Sequence, residues 1–202
     1  VTDLDQLIEL GSVGATGAEI LRSSVGERKN VLVAGSTGSG KTTLLNVLSR
    51  EIPTDERVIS VEDAAELKLS GHVVRLEGRP PNAEGAGGIT QRDLLRHALR
   101  LRPDRIIVGE VRGPEAFDLL QAMSTGHEGS MSTIHASSAD EALWRLETLA
   151  LASDARVSES SVSRQVHNAV DVVVVVGRRS GGRVVRSITT VGEDTKEVYR
   201  CS

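Results

Sequence analysis

Short apolar runs alternate along the chain with segments in which apolar residues recur every three or four positions. The first pattern predicts buried strands, the second predicts amphipathic helices, and their alternation is typical of an α/β domain with a largely parallel sheet. The predicted strands are 30–35, 57–63, 72–78, 105–110, 130–134 and 171–177, and 183–191 is expected to pair with the last of these as a hairpin. The predicted helices are 3–10, 15–25, 41–49, 90–101, 114–123, 139–151 and 158–169.

Local signals mark the ends of some of these elements. Thr90 is expected to cap the helix 90–101, and the Arg102-Pro103 step is expected to close it, because a residue before proline avoids the helical conformation. The range 79–88 contains two Pro and three Gly and is predicted to be a loop.

Composition narrows the classes of protein that this chain can belong to. A length of 202 residues suits one substantial domain, while a net charge of −4 and only one Phe, one Tyr and one Trp argue against a nucleic-acid surface. Because Cys201 is the only cysteine, an internal disulfide and a cysteine-based zinc site are both excluded. The sequence has no apolar run of transmembrane length and no signal-peptide pattern at its start.

A glycine-rich segment follows the strand 30–35. Residues 35–42 read GSTGSGKT and match G-x-x-x-x-G-K-[ST] at every fixed position, between an apolar strand and a helical pattern. Glycines let successive backbone N–H groups turn toward an anion, and the N-terminus of the helix adds partial positive charge. We expect a phosphate-binding loop in which Lys41 reaches the β- and γ-phosphates of a nucleotide and Thr42 ligates Mg²⁺; the alternative is a glycine-rich turn with an incidental lysine. The residues expected to bind the nucleotide are Gly35, Ser36, Thr37, Gly38, Ser39, Gly40, Lys41, Thr42 and Thr43.

Two predicted strands end in acidic residues. One ends in Glu110, and the other ends in Glu62 and Asp63, with Glu66 shortly after. Parallel α/β sheets bind ligands at the carboxyl ends of their strands, and nucleotide hydrolysis needs a carboxylate near Mg²⁺ and a group that orients the attacking water. Glu110, Glu62 and Asp63 are therefore candidates for these roles. The alternative is that they are solvated charges at strand exits, and this alternative is favoured for Glu66.

Two histidines flank the predicted strand 130–134. His127 and His135 stand at either end of the stretch GHEGSMSTIHA. From the residues alone, this stretch is compatible with a metal site, a catalytic base or an ordinary turn that leads into a strand.

Four stretches together carry a resemblance to a known family. They are GSTGSGKTTLLN, VEDAAEL, RPDRIIVGEVRGPEAFDLLQAMSTGHEGSMSTIHA and RLETL. In this order they resemble the sequence boxes of the type II/type IV secretion ATPases, and they most resemble the branch that powers Tad/Flp pilus assembly. The resemblance extends from about Leu4 to Val191. It implies a RecA-like P-loop NTPase fold with a mostly parallel central sheet flanked by helices, plus a C-terminal β-hairpin.

The resemblance also implies roles for individual residues. VEDAAEL matches the aspartate box, which implies that Glu62 and Asp63 lie near the metal and the water, with Asp63 holding Mg²⁺ partly through water. IIVGE matches the Walker B box, with Glu in place of the usual Asp, which implies that Glu110 activates the water. GHEGSMSTIHA matches the histidine box, which implies that it runs beside the phosphate loop and that His135 senses the γ-phosphate. The metal-site hypothesis for His127 and His135 then loses most of its weight, because no third ligand of suitable spacing is apparent and no cysteine is nearby.

The domain organisation that the resemblance implies is a single motor domain over residues 1–202. It comprises a helical lead-in at 1–29, a nucleotide-binding core at 30–177, and a C-terminal hairpin and tail at 178–202. Members of the family generally carry a separate N-terminal domain, and nothing in this chain matches it. Since the chain starts with Val1 inside a helical pattern, we expect it to be a fragment of a longer protein.

Arg92, Arg96 and Arg100 recur every fourth residue on the predicted helix 90–101 and are expected to share one face. One hypothesis is a solvated face paired with acids. The other is that Arg96 and Arg100 complete the nucleotide site of a neighbouring subunit, as arginines of ring ATPases commonly do. Arg112, just after Glu110, is a further candidate for this role.

The function implied by the resemblance is ATP hydrolysis that depends on Mg²⁺ and powers pilus assembly or protein secretion. We expect a cytoplasmic homo-hexamer, attached to the inner face of a bacterial plasma membrane through membrane platform proteins, with no direct nucleic-acid partner. Two other hypotheses remain. One is a DNA-translocating ring ATPase of a conjugation-type system, and the other is a nucleotide-binding scaffold without turnover.

Overall fold

The described residues fold into an eight-stranded sheet with helices on both faces. The computed structural model describes residues 1–153, 155–192 and 195–201. Its strands are β1 (Val31–Ala34), β2 (Val58–Glu62), β3 (Val73–Glu77), β4 (Arg105–Val108), β5 (Met131–Ile134), β6 (Val172–Arg179), β7 (Gly182–Thr190) and β8 (Lys196–Arg200). Its helices are α1 (Leu4–Glu9), α2 (Ala15–Gly26), α3 (Lys41–Ser49), α4 (Gln91–Ala98), α5 (Glu115–Ser124), α6 (Ala139–Leu151) and α7 (Glu159–Ala169).

The strand order across the sheet is β3-β2-β4-β5-β1-β6-β7-β8. All neighbours from β3 to β6 pair in parallel, whereas β6, β7 and β8 pair antiparallel. Ser180 and Gly181 form the two-residue turn between β6 and β7, and Gly181 has a φ of 101°. The predicted fold, a mostly parallel sheet with a C-terminal hairpin, is confirmed.

The two faces of the sheet bury different helices. In β1, Leu32 and Ala34 belong to an apolar cluster that includes residues of α4, α5, α6 and α7. The alternate residues Val31 and Val33 belong to a second cluster with α1, α2 and α3. Because helices cover both faces, β1 is buried at all four positions, as its continuous apolar sequence predicts. No helix within the described residues is long and apolar enough to cross a membrane.

Helix α4 is shorter than predicted. Thr90 caps it as expected and forms a capping box with Asp93, but the helix ends at Ala98 rather than at Leu101. The next residues close with tight turns, in which the Arg100 N–H donates to His97 O at 3.0 Å. Arg102 then takes a left-handed φ of 52°. The prediction that Arg100 extends the helical face is therefore wrong, because the chain leaves the helix before it.

Strand β8 was not predicted. Its sequence KEVYR is mostly exposed and carries only two apolar residues, so it lacks a clear buried pattern. Pairing with β7 and one aromatic contact hold it in place. The Tyr199 hydroxyl accepts the Gly14 N–H at 2.8 Å, and its ring lies where a Cβ on Gly17 would come within 2.9 Å. Two glycines at the start of α2 thus make room for the side chain of a distant strand.

A buried ion pair joins the first residue of β4, Arg105, to Glu56 in the segment before β2. The side chain of Arg105 is 1% exposed, and its Nε and Nη2 donate to the Glu56 carboxylate at 2.6 and 3.0 Å. Arg105 Nη1 also donates to Val25 O at 2.8 Å, at the end of α2. Arg28 adds a second cation, with its Nη1 2.8 Å from Glu56 Oε2. These contacts fix α2 and β4 to the segment before β2.

This cluster predicts a stability that depends on pH. The hydrogen bond from Arg105 lowers the pKa of Glu56 below its usual value of 4.5. The stabilisation is therefore complete above that value and is lost as the pH falls through the lowered pKa of the folded state. We expect Glu56→Gln to lower the free energy of unfolding near pH 7 and to flatten its decrease on acidification. Urea unfolding from pH 7 to pH 3 measures this, with Asp5→Asn in the exposed Asp5–Arg22 pair as control. Equal pH profiles for wild type and Glu56→Gln would refute the assignment.

Candidate active site

The phosphate loop connects β1 to α3, where the predicted motif requires it. Gly38 and Gly40 have φ values of 70° and 103°, which L side chains rarely adopt. A Cβ on Gly35 would lie 2.8 Å from a side-chain carbon of Val176 on β6, so this position also needs glycine. Within the described chain, the backbone N–H groups of Gly38, Gly40, Lys41 and Thr42 donate to no other group. The loop thus presents free N–H donors at the start of a helix, as an anion site does.

Lys41 is the cation inside this loop. Its side chain is 10% exposed, and Nζ lies 3.3 Å from Ser36 O and 3.8 Å from Glu110 Oε1. A lysine that is nearly buried beside a carboxylate and free N–H donors suits an anionic ligand such as a phosphate group.

Glu110 lies between two cations. Its Oε1 faces Lys41, while its Oε2 accepts a hydrogen bond from Arg112 Nε at 2.9 Å and another from Arg112 Nη2. The Glu110 carboxylate raises the pKa of Arg112 through these hydrogen bonds. Glu115, at the start of α5, holds the connecting segment by accepting the N–H groups of Arg112 and Gly113 at 2.7 and 2.8 Å. The Glu110 carboxylate is therefore fixed by Arg112 and points toward the phosphate loop.

Glu62 and Asp63 differ in what they contact. Glu62 is buried at the end of β2, and its Oε1 accepts the N–H groups of Glu66 and Leu67 at 3.0 and 2.9 Å. One Glu62 oxygen therefore shapes the loop after β2. Asp63 is exposed and makes no hydrogen bond within the described chain. Both carboxylate oxygens of Asp63 are therefore available to a ligand, whereas Glu62 has only Oε2 left for one.

The histidine stretch surrounds β5. β5 pairs in parallel with β1, and the Gly35 N–H donates to Ile134 O at 3.3 Å, so the prediction that this segment runs beside the phosphate loop is confirmed. His135 follows the strand at the loop end and is exposed. His127 lies in the turn before the strand, and its Nδ1 is buried with no partner in the described chain. The four strand residues alone separate the two histidines by roughly 13 Å, so they cannot share one ion.

One cavity of about 590 Å³ brings the predicted residues together. It lies at the carboxyl ends of the parallel strands, where this class of fold binds ligands. Other predicted residues lie elsewhere: Ser39, Gly40 and Thr43 line a smaller neighbouring cavity, and Arg96 lines a third one. The predicted residues that line the main cavity are Thr37, Gly38, Lys41, Thr42, Glu62, Asp63, Glu110 and His135.

The donor set of this cavity fits a nucleotide with Mg²⁺. The free N–H groups of the loop and Lys41 suit phosphate oxygens, and the Thr42 hydroxyl and the Asp63 carboxylate are oxygen ligands that Mg²⁺ prefers. The described residues contain no group of three or more His, Cys, Asp or Glu side chains that could hold a metal ion. Magnesium held here would therefore take its remaining ligands from phosphates and water, as it usually does.

The predicted arginine face is bound to an acid of the same chain. Arg92 Nε and Arg96 Nε each lie 2.9 Å from the Asp118 carboxylate on α5, whose side chain is 13% exposed. Arg100 is exposed in the turn after α4. For Arg92 and Arg96, this geometry matches the hypothesis of a face paired with acids.

Several residues of the site were not assigned from the sequence. Gln91 and Arg145 line the main cavity, and the Gln91 Oε1 is buried without a partner in the described chain. Arg145 belongs to the stretch RLETL, which carries part of the resemblance but gives no role by itself. Nothing in the sequence indicated the role of Glu115, because its carboxylate reaches the N–H groups of Arg112 and Gly113 only when the chain turns before α5.

Comparisons with known proteins identify relatives of this chain. It is 44% identical over 178 residues to the type IV secretion system protein PtlH of Bordetella pertussis, covering 86% of this chain and 52% of the relative. It is 37% identical over 188 residues to the conjugal transfer protein TrbB of Rhizobium radiobacter, covering 92% and 55%. The crystal structure of the VirB11 ATPase from the Brucella suis type IV secretion system, in complex with sulphate, superposes with a TM-score of 0.77. That match has 36% identity and covers 93% of this chain and 54% of the other.

These relatives agree with a match to a family model. The chain spans about half the length of the relatives that it matches. The Tad/Flp branch stays a prediction, because these relatives are named for type IV secretion and conjugal transfer. The model described as type II/IV secretion system protein matches residues 2–188, and the chain therefore belongs to that family of secretion ATPases.

Proposed function

We propose that this chain is the ATP-hydrolysing motor unit of a hexamer that powers pilus assembly or protein secretion. The observation that carries the proposal is the convergence of Lys41, Asp63 and Glu110 in one cavity, although three separate stretches supply them. The relatives named for type IV secretion support the secretion role. The motor would act at the inner face of a bacterial plasma membrane and be held there by membrane platform proteins.

The residues of the cavity divide the chemistry among them. Lys41 and the N–H groups of the loop would bind the phosphates, and Thr42 and Asp63 would hold Mg²⁺, which would neutralise phosphate charge. Glu110, oriented by Arg112, accepts the proton of the attacking water. Glu62 shapes the loop that carries Asp63, and it is the second candidate for the base. His135, which follows β5, would donate a hydrogen bond to the γ-phosphate.

Ring assembly would add an arginine from the neighbouring subunit. Arg100 is the better candidate than Arg96, because both are exposed but Arg96 would first have to leave Asp118. Arginine stabilises the charge that develops on the transferred phosphoryl group. In this arrangement, the active site belongs to the interface rather than to the single chain.

Hydrolysis measured across a concentration series, with native mass spectrometry on the same samples, tests the proposal. We expect turnover that requires Mg²⁺ and rises per chain as hexamers form. Arg100→Ala should lower turnover without changing the mass distribution, while Arg50→Ala, at an exposed arginine after α3, should change neither. Turnover that is independent of concentration and of Arg100 would contradict the ring arrangement. Hexamers that bind ATP without hydrolysing it would indicate the scaffold hypothesis instead.

A DNA-translocating ring ATPase is the second candidate function. TrbB of Rhizobium radiobacter, which is 37% identical, is named a conjugal transfer protein. The net charge of −4 and the scarcity of aromatic residues count against direct DNA binding by this chain. Stimulation of hydrolysis by single- or double-stranded DNA would favour this second function.

A further inference from the structure

Two arginines face each other at the end of the β6–β7 hairpin. Arg178 and Arg183 are direct partners in the antiparallel register, next to the pair formed by Arg179 and Gly182. Like charges directly opposite each other on two strands repel and destabilise the pair. In the described part of the chain, neither Arg178 nor Arg183 has an acidic partner within ion-pair distance. The fold therefore tolerates two unneutralised positive charges at this position.

Both arginines contact the phosphate loop. Arg178 Nε and Arg183 Nε donate to the same acceptor, the carbonyl oxygen of Gly38, at 3.3 and 3.0 Å. A Cβ on Gly38 would lie 2.5 Å from Arg178 Nη2, and a Cβ on Gly40 would lie 2.9 Å from Arg183 Cδ. The two side chains thus pack directly on the two phosphate-loop glycines that have positive φ, Gly38 and Gly40. Arg179, on the same strand, makes its described contact with Cys201 Sγ at 3.9 Å.

The contact fixes the direction of the Gly38 carbonyl. An anion-binding loop must point its N–H groups inward, so its carbonyl oxygens point outward and need donors there. The two guanidinium groups supply these donors on the outer side, while the N–H groups of Gly38, Gly40 and Lys41 have no acceptor among the described residues. The hairpin is in turn tied to the rest of the chain, because the Val185 N–H donates to Ser12 O at 2.7 Å. The arginines therefore hold the loop in its binding geometry, and the hairpin that carries them is itself fixed by its contact with Ser12.

We propose that Arg178 and Arg183 form a cationic clamp on the phosphate loop, and that this clamp positions the loop and adds two positive charges for the phosphate chain of the bound nucleotide. The inference rests on the proposed function, because it needs a nucleotide in the loop. An anion near the loop also offsets the repulsion between the two arginines, which no acid in the described part of the chain compensates. Arg178 and Arg183 act through the loop and are positioning residues rather than catalytic ones.

Nucleotide affinity of clamp variants tests the proposal. We expect the double variant Arg178→Ala with Arg183→Ala to bind ATP about 100-fold more weakly, at about tenfold for each lost charge near the phosphates. ADP, which carries one phosphate fewer, should lose less affinity than ATP. The matched control Arg179→Ala, which removes a neighbouring charge whose described contact is with Cys201 Sγ, should bind ATP as the wild type does. Calorimetric titration with ATP and with ADP, in the presence of Mg²⁺, measures all three proteins.

Two further variants separate the charge from a purely structural contact. Replacing both arginines by lysine keeps the charge and should restore most of the affinity, whereas glutamine keeps an N–H donor without charge and should not. The difference between wild type and the double alanine variant should also shrink in high salt, because screening weakens charge effects. The thermal unfolding midpoint of each variant shows whether the variant is folded. If the double alanine variant is unfolded, the comparison of the lysine and glutamine variants tests the role of charge.

The outcomes are distinct. Wild-type affinity in the folded double alanine or double glutamine variant would overturn the clamp and leave the proposed function intact. Equal losses in the lysine and glutamine variants would overturn the role of charge and reduce the contact to packing. Failure of the wild-type chain to bind ATP would instead overturn the proposed function, and the clamp with it.

Discussion

Replacing Glu110 by glutamine should lower the kcat of ATP hydrolysis by about 10²- to 10⁴-fold, the usual contribution of a general base. The amide has nearly the same size but cannot accept the proton of the attacking water. Its loss of charge leaves Lys41, 3.8 Å from Oε1 in the wild type, free for the phosphates, so ATP binding should be retained or strengthened. Steady-state turnover and equilibrium titration with ATP, measured separately, distinguish the two effects.

The control for this prediction is another acid of the same cavity. Glu66 is exposed, lines the cavity and has no assigned role, so Glu66→Gln should keep wild-type turnover. Wild-type turnover in the Glu110→Gln protein would transfer the role of base to Glu62, whose Glu62→Gln variant would then be inactive.

Replacing Lys41 by alanine should abolish measurable ATP binding, and with it all hydrolysis. Its ammonium is the only lysine or arginine charge within the phosphate loop 35–42, and a charge-assisted hydrogen bond contributes about 1.5–3 kcal/mol for each contact. The loss of contacts to two phosphate groups would therefore weaken binding by at least about 100-fold. Titration with ATP measures the effect, and Lys68→Ala, at an exposed lysine after β2, is the control. ATP affinity within a few-fold of wild type would show that the nucleotide does not occupy this loop.

The parts of the fold and site that could be predicted are those encoded by neighbouring residues. The phosphate loop is one continuous motif between a strand and a helix, and Glu110 follows a buried strand directly. The contacts of Arg178 and Arg183 with Gly38 cross 140 and 145 positions, and nothing local indicates them. Likewise, Glu56 and Arg105 are 49 positions apart, so the burial of Arg105 at the start of an apolar strand gave no sign of its partner.

The arginine face shows a second limit of periodicity. Spacing correctly placed Arg92 and Arg96 on one side of a helix, but it could not show that Asp118 on another helix binds both. The end of α4 was not predicted either, because the apolar spacing does not distinguish a helix from the tight turns that follow Ala98. Strand β8 is too polar to be predicted from its own sequence. It is held by pairing with β7 and by the packing of Tyr199 against Gly14 and Gly17.

The central position of β1 has a consequence for the synthesis of the protein. Asn30, directly before β1, binds Ser130 and Asp171, which follow it by 100 and 141 positions, at the starts of the two strands that flank β1. While the chain emerges from a ribosome, the strand that carries the phosphate loop therefore waits 100 positions for its first neighbour and 141 positions for its second. Contacts of such long range form slowly and leave apolar strands exposed in the meantime. A nascent chain can thus complete its nucleotide site only after both flanking strands have been translated, and until then the apolar strand β1 is exposed.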